Sequence, residues 1–249
     1  MKVLKTPTVL VALILTCGRI AAAQTADDVV EKYLAAIGGR AALAKLTSRS
    51  TTGTITVSLP NGPVSGTIEI LNQQPNKVRT VTKLDLSALN AGQVIREQRF
   101  DGTAGYTLDS LQGNREITGS QLDNMKNSMF PTPLLAYKER GATVELAGKE
   151  KVDGRDAYVL LFKPKTGSVV RQFLDAETYL PARIAVKVDA PAGGEVEQTT
   201  DLSDYRVVDG IKIPFAIRVS TAGQSFAIAV SKVEHNVTID GASFSKPEK

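Results

Sequence analysis

The stretch GTITVSLPNGPVSGTIEI, residues 53–70, decides the fold. Ile55, Val57 and Leu59 point one way and Thr54, Thr56 and Ser58 the other, the period of two that a half-buried strand requires. Pro60-Asn61-Gly62 supplies a turn, and Val64, Ile68 and Ile70 take up a return strand. The stretch therefore predicts a β-hairpin with one dry face and one wet face.

Downstream, the same alternation marks strands over 77–84, 93–100 and 104–109, the last two separated by the turn residues Asp101-Gly102. The pattern breaks over 121–140. There Leu122, Met125 and Met129 suit a helix, Pro131 and Pro133 stop it, and Leu134, Leu135 and Tyr137 form a second apolar patch. Strands resume over 143–152, 156–163, 169–175, 182–188, 195–206, 213–221 and 224–237, with Gly154, Gly167, Ala192-Gly193-Gly194, Asp209-Gly210 and Gly223 between them as turns.

Upstream the period is helical. Thr25 with Asp28 three residues on resembles a capping box, and Val29, Val30, Tyr33, Leu34 and Ile37 share one face of a helix that Gly38-Gly39 ends. Leu43 and Leu46 extend that apolar side through a short second turn. The chain thus reads as α+β: a single large curved antiparallel sheet of about ten strands, an open half-barrel with helices covering its concave face. No repeat and no long linker divides it, so residues 24–249 are expected to form a single domain.

Residues 1–23 read as an export signal. Lys2 and Lys5 give a positive start, residues 9–15 an apolar core too short to anchor a chain, and Ala21-Ala22-Ala23 a site for cleavage before Gln24. Cys17 offers a lipid-anchored alternative, but Ile14-Leu15-Thr16 makes a poor lipobox. Without this leader 27 basic side chains face 26 acidic ones, so the excess positive charge belongs to the leader and no basic patch remains for nucleic acid. The remainder has no cysteine, hence no disulfide, thiol nucleophile or thiolate metal site.

Catalytic constellations are sparse. His235 is the one histidine, which leaves no two-histidine metal site and a single general base of the usual kind. Ser225 in Gly223-Gln224-Ser225-Phe226-Ala227 faintly echoes a nucleophile elbow, but strand residues follow it, not a helix. The carboxylate pairs Asp27-Asp28, Glu195/Glu197 and Asp201/Asp204 read as a cap and solvated strand faces, without the dense spacing of a calcium loop. Asn236-Val237-Thr238 fits a glycosylation sequon that a bacterial-looking leader makes a coincidence. No enzyme activity, metal or cofactor is expected.

Several stretches resemble the LolA-type periplasmic lipoprotein carriers and the wider LolA-like, LppX-like and RseB-like superfamily. GTIEILNQQPNKVR (66–79) is similar to its strand running into a proline turn, and RFDGTAGYTL (99–108) to its aromatic-bearing hairpin. Phe130-Pro131-Thr132-Pro133-Leu134-Leu135 sits where such proteins carry a proline-bearing helix. VRQFLDAETYLPARIAV (170–186) and VEHNVTIDGASFSKPEK (233–249) match its paired strands and its closing motif. The resemblance implies a periplasmic, non-catalytic, monomeric carrier of lipid or lipoprotein acyl chains, or a binder of envelope proteins, with an apolar space between sheet and helices.

On that resemblance Val30, Leu34, Ile37, Ile68, Ile70, Phe100, Tyr106, Met125, Met129, Phe130, Leu134, Phe162 and Phe173 are the expected ligand-lining residues, although the same side chains would equally suit a filled core. Gly38-Gly39 and residues 130–135 are the expected hinges. One departure stands out: the carrier's arginine before the turn proline, associated with closing its lid, corresponds here to Gln74, so that gating role is not carried over.

Overall fold

The computed structural model describes residues 24–87, 92–190 and 193–247; the expected leader, with Cys17 and its cleavage site, lies outside them. Helix α1 (Ala26–Ala36) and the one-turn α2 (Arg40–Leu43) precede a run of strands. These are β1 (Ser48–Leu59), β2 (Gly62–Gln73), β3 (Lys77–Asp85), β4 (Gln93–Phe100), β5 (Gly105–Asp109) and β6 (Arg115–Ile117). Helix α3 (Gly119–Asn127) and a 3-10 turn (Pro133–Leu135) follow. The second run is β7 (Thr143–Val152), β8 (Arg155–Lys163), β9 (Val170–Asp175), β10 (Pro181–Asp189), β11 (Glu195–Val208), β12 (Ile211–Thr221) and β13 (Gln224–His235).

All thirteen strands form one sheet, in the order β6-β5-β4-β3-β2-β1-β13-β12-β11-β10-β9-β8-β7. Each run is a meander of local antiparallel pairs, and the meanders join where β1 pairs with β13. Strands β6 and β7 are not paired with each other, so the sheet is not closed. The hairpin over 53–70 is present with Leu59 facing Gly62 across the turn. The count exceeds the expected ten or so. β6, only three residues long, is too short to show alternation, and β1 begins at Ser48, five residues before the stretch in which alternation is read.

The sheet has to curl, and α3 shows why. Ser120 Oγ donates to Asp189 at the end of β10 (2.5 Å), while Asn76, just before β3, donates to the Lys126 carbonyl (3.1 Å). Six strand spacings separate β3 from β10, roughly 29 Å in a flat sheet. A nine-residue helix spans only about 14 Å. Helix α3 therefore straps the two meanders across a bent sheet, helped by Asn127 Nδ2 donating to the Thr166 carbonyl (2.7 Å) and Ser168 N donating to Asn124 Oδ1 (2.8 Å).

Helix α1 starts as its sequence dictates: Thr25 Oγ1 accepts from Asp28 N (3.1 Å) and Asp28 Oδ2 accepts from Thr25 N (3.0 Å). Its stripe Val29, Val30, Tyr33, Leu34 and Ile37 is buried in one cluster with Ile55, Ile68, Leu160, Phe162, Leu174, Ile211, Ile213, Phe215, Ile228, Val230 and Val233 of the sheet. These strand residues define the inner face. At the end of α1, Lys212 N donates to the Ile37 carbonyl (3.0 Å). Gly38, at φ +139°, lets the backbone pass so close that a Cβ there would lie 2.7 Å from Ile211 Cδ1.

Candidate functional site

The inner face divides along the strands. Beneath α1 it is filled by the protein's own side chains, Val29, Val30, Leu34, Leu160 and Leu174 all being almost wholly buried. Toward the β1–β2 turn, Val57, Leu84, Ile217 and Phe226 pack against that cluster but are only half-buried. The face is thus a continuous apolar surface, closed at one end and less covered at the other.

The segment between the meanders is tied to α1 by polar contacts. Tyr33 Oη donates to Thr132 Oγ1 (2.9 Å) inside the core, and burial raises the Tyr33 hydroxyl pKa above its ordinary value. Arg40 pairs with Glu31 and donates to the Leu135 carbonyl (2.6 Å). Asp27 takes both the Tyr137 hydroxyl and the Lys138 ammonium, whose hydrogen bonds hold its carboxyl below the usual range. The same segment is fixed to the first meander by Phe130 N, which donates to the Pro75 carbonyl (2.8 Å).

Of the residues expected to line a ligand space, Val30, Leu34, Ile37, Ile68, Phe130, Leu134 and Phe162 come together in the inner cluster, with Ile70 packed against it. Phe100 is fully buried on the same face by register, paired with Val78 and lying outside that cluster. Met125 and Met129 are half-buried and also outside it.

Two residues are corrected. Tyr106 pairs with Arg99 and Glu116 and so points to the outer face, where the Lys246 ammonium lies 5.4 Å from its ring centroid. Phe173 likewise faces outward, in a separate cluster with Val152, Ala157, Val159 and Ala185, with the Arg171 guanidinium 5.0 Å from its ring centroid. In β9 both sides carry apolar residues and read alike, whereas in β5 the apolar Tyr106 and Leu108 lie on the outer side and the inner side is Gly105, Thr107 and Asp109.

A cavity also lies on the outer face. It is an open groove of about 880 Å³ floored by Thr54, Thr56, Ala216, Ala227 and Ala229 and flanked by the ion pairs Arg183–Asp201 and Arg155–Asp175.

The acidic pairs have protein partners. Asp28 caps α1, Asp201 and Asp204 pair with Arg183 and Arg206, and Glu195 and Glu197 pair with Lys187 and Arg171. Ser225 and His235 lie ten residues apart on β13, about 33 Å along a strand, so they cannot act as a catalytic pair. Among the described residues no group of histidine, cysteine or carboxylate side chains could hold a metal, and no helix is long and apolar enough to cross a membrane.

One inner-face feature escaped the sequence reading. Arg49 on β1 pairs with His235 on one side and Asn72 on the other. Its guanidinium lies 5.4 Å from the Phe130 ring centroid, and among the described residues its one side-chain hydrogen bond is a long 3.4 Å contact to Asn72 Oδ1. Arg49 Nε is buried without a partner, as is Nε2 of His235, whose Nδ1 sits 3.1 Å from Asp209 Oδ2. Burial pulls the Arg49 pKa down to about 10, so it remains charged at neutral pH. An arginine at the parity of Ile55 and Val57, flanked by Ser48 and Ser50, was the available signal.

No protein-family model matches the chain, and no curated protein matches it in sequence. Solved structures do. A DUF1329 family protein from Desulfovibrio piger superposes with TM-score 0.57 at 15% identity, over 88% of this chain and 97% of that one. A LolA superfamily protein from Nitrosomonas europaea gives 0.56 at 14%, over 89% and 98%. An outer membrane lipoprotein-sorting protein domain from Vibrio parahaemolyticus gives 0.55 at 10%, over 87% and 94%. At these identities the likeness is one of fold, and the fold is LolA-like.

Proposed function

We propose that this chain is a non-catalytic carrier of the bacterial envelope, exported by a leader cleaved near Ala23, that shelters an acyl chain or similar apolar ligand against the inner face of its sheet. The observation that carries this reading is the inner face itself. An apolar surface runs past the packed zone under α1 to the half-buried Val57, Leu84, Ile217 and Phe226. The elements over it, α1 and the segment around α3, are held to one another and to the sheet partly by polar contacts that water can replace. Each methylene moved onto such a surface gains about 0.8 kcal/mol, so a long chain binds without specific hydrogen bonds. The lipoprotein-sorting description of the Vibrio parahaemolyticus neighbour supports the same class of ligand.

The filled zone under α1 favours a second reading, in which the interior is structural and the molecule presents its surface to an envelope protein. Native mass spectrometry and lipid extraction of protein purified without detergent from its own envelope, with titration of a fluorescent fatty acid, separate the two. The carrier is expected to co-purify with lipid and to bind the probe. Recovery of no lipid, with no binding of the probe, rejects the carrier and leaves the interaction module.

A further inference from the structure

We propose that the ligand carries an anionic headgroup, a carboxylate or a phosphate, and that Arg49 is its counter-ion, with His235 beside it on the inner face. This rests on the carrier reading and narrows its ligand from any apolar chain to an acidic amphiphile.

Arg49 is half-buried, with its Nε–H enclosed, and a charge drawn part-way out of water with an unmade hydrogen bond favours an acid partner. Among the described residues no carboxylate forms an ion pair with Arg49, whereas Arg79, Arg99 and Arg183, half-buried like it, each have one. Its Nε–H is orphaned, and its one acceptor, Asn72, is neutral and at the limit of hydrogen bonding. His235 is the directly paired residue on β13, so the two Cβ atoms lie about 5 Å apart on one face. The His235 side chain is 2% exposed, and its Nδ1 faces the Asp209 carboxylate, which leaves Nε2 free on its other side. An anion at this corner would accept the Arg49 Nε–H and satisfy that orphaned donor, with the His235 ring beside it.

The surroundings argue for an anion with a tail. Phe130 lies over the guanidinium, Ile70 pairs with Thr51 one pleat along the same face, and Val78 and Phe100 continue the row beyond Asn72. A small inorganic ion entering here would give up its hydration for few donors. An ion joined to an acyl chain brings the tail's own burial with it.

The test uses three ligands of one chain length, decanoate, decyl phosphate and the uncharged methyl decanoate, with acetate and inorganic phosphate as tailless controls. Affinity is read by calorimetry below each ligand's micelle concentration. The site is read by the imidazole Cε1–H signal in NMR, which is unambiguous because the chain has one histidine. The expected result is at least tenfold tighter binding of one or both acids than of the ester, a shift of the His235 signal by the acids alone, and no comparable shift from the tailless ions. The ratio of decanoate to decyl phosphate identifies the headgroup. Arg49→Gln is expected to bring the acids down to the ester's affinity, and Arg49→Lys, which keeps the charge but loses the fork, to restore part of the difference. Equal binding of acids and ester overturns the Arg49 assignment and leaves the carrier standing. Saturation by acetate or phosphate overturns the amphiphile. Failure of all three chains to bind overturns the carrier itself. These outcomes need only the unmodified protein, so they hold even if an Arg49 variant does not fold.

Discussion

Replacing Leu34 with Ala measures how firmly α1 is built into the sheet. Leu34 is 1% exposed and sits in the same cluster as Leu160, Leu174 and Ile213. The change removes three carbons, a transfer loss of roughly 2.4 kcal/mol at about 0.8 kcal/mol for each. The α1 stripe is docked against strands that cannot follow it inward, so the hole stays partly open and raises the total to about 3–4 kcal/mol. For a chain of this size that lowers Tm by about 6–16 °C. Urea unfolding followed by circular dichroism should show the loss as a lower midpoint at unchanged slope. Met125→Ala on α3, half-buried and outside the cluster, should cost less than about 1 kcal/mol and serves as the contrast. A Leu34→Ala cost below about 2 kcal/mol, or one equal to that of Met125→Ala, would mean that α1 rests on empty space and would refute the packed zone described above.

Two further outcomes follow from local geometry. Gly38→Ala places a Cβ 2.7 Å from Ile211 Cδ1 and 2.9 Å from the Gly210 carbonyl at φ +139°, so it should destabilise the fold by about 2 kcal/mol or more; a melting temperature equal to that of the parent would contradict the close approach. Burial of Glu97 works against its charge, but hydrogen bonds from Arg99 and Arg79 outweigh it and hold the pKa below the usual carboxylate range. A depressed pKa contributes stability above the unfolded value of about 4.3 that is lost as pH falls through the folded one. Glu97→Gln should therefore flatten the decline of Tm between about pH 5 and pH 3, and a decline as steep as the parent's would exclude the Arg79–Glu97–Arg99 group as its source.

Much of the architecture was legible because it is local. Thr25 and Asp28 announce the start of α1, and the alternation of Ile55 and Val57 against Thr54 and Thr56 gives β1 its two faces. Alternation is blind to three things here. It cannot show a three-residue strand such as β6, whose pairing is set by the β5 edge and not by its own pattern. It cannot say which side of a strand is inner, whether both sides carry apolar residues, as around Phe173, or only the outer one does, as around Tyr106. Nor does it mark Arg49, whose significance lies in what is missing around it: a charge is read as solvated until pairing with His235 and the position of Phe130 show it half-buried with its Nε unpartnered.

The pairing of β1 with β13 sets an order of events. The first strand of the sheet and its last become neighbours at the middle, so a chain emerging from the ribosome or a translocon leaves β1 half-satisfied until the final strand arrives. Each meander can form by itself, but neither can find the other early. A molecule cut short before Gln224 would keep two long raw edges, β1 and β12, flanking a vacancy one strand wide, and the same segment donated by a second molecule is the natural filler. The last strand thus acts as a keystone, and degradation from the carboxyl end leaves a molecule prone to exchange strands with its copies.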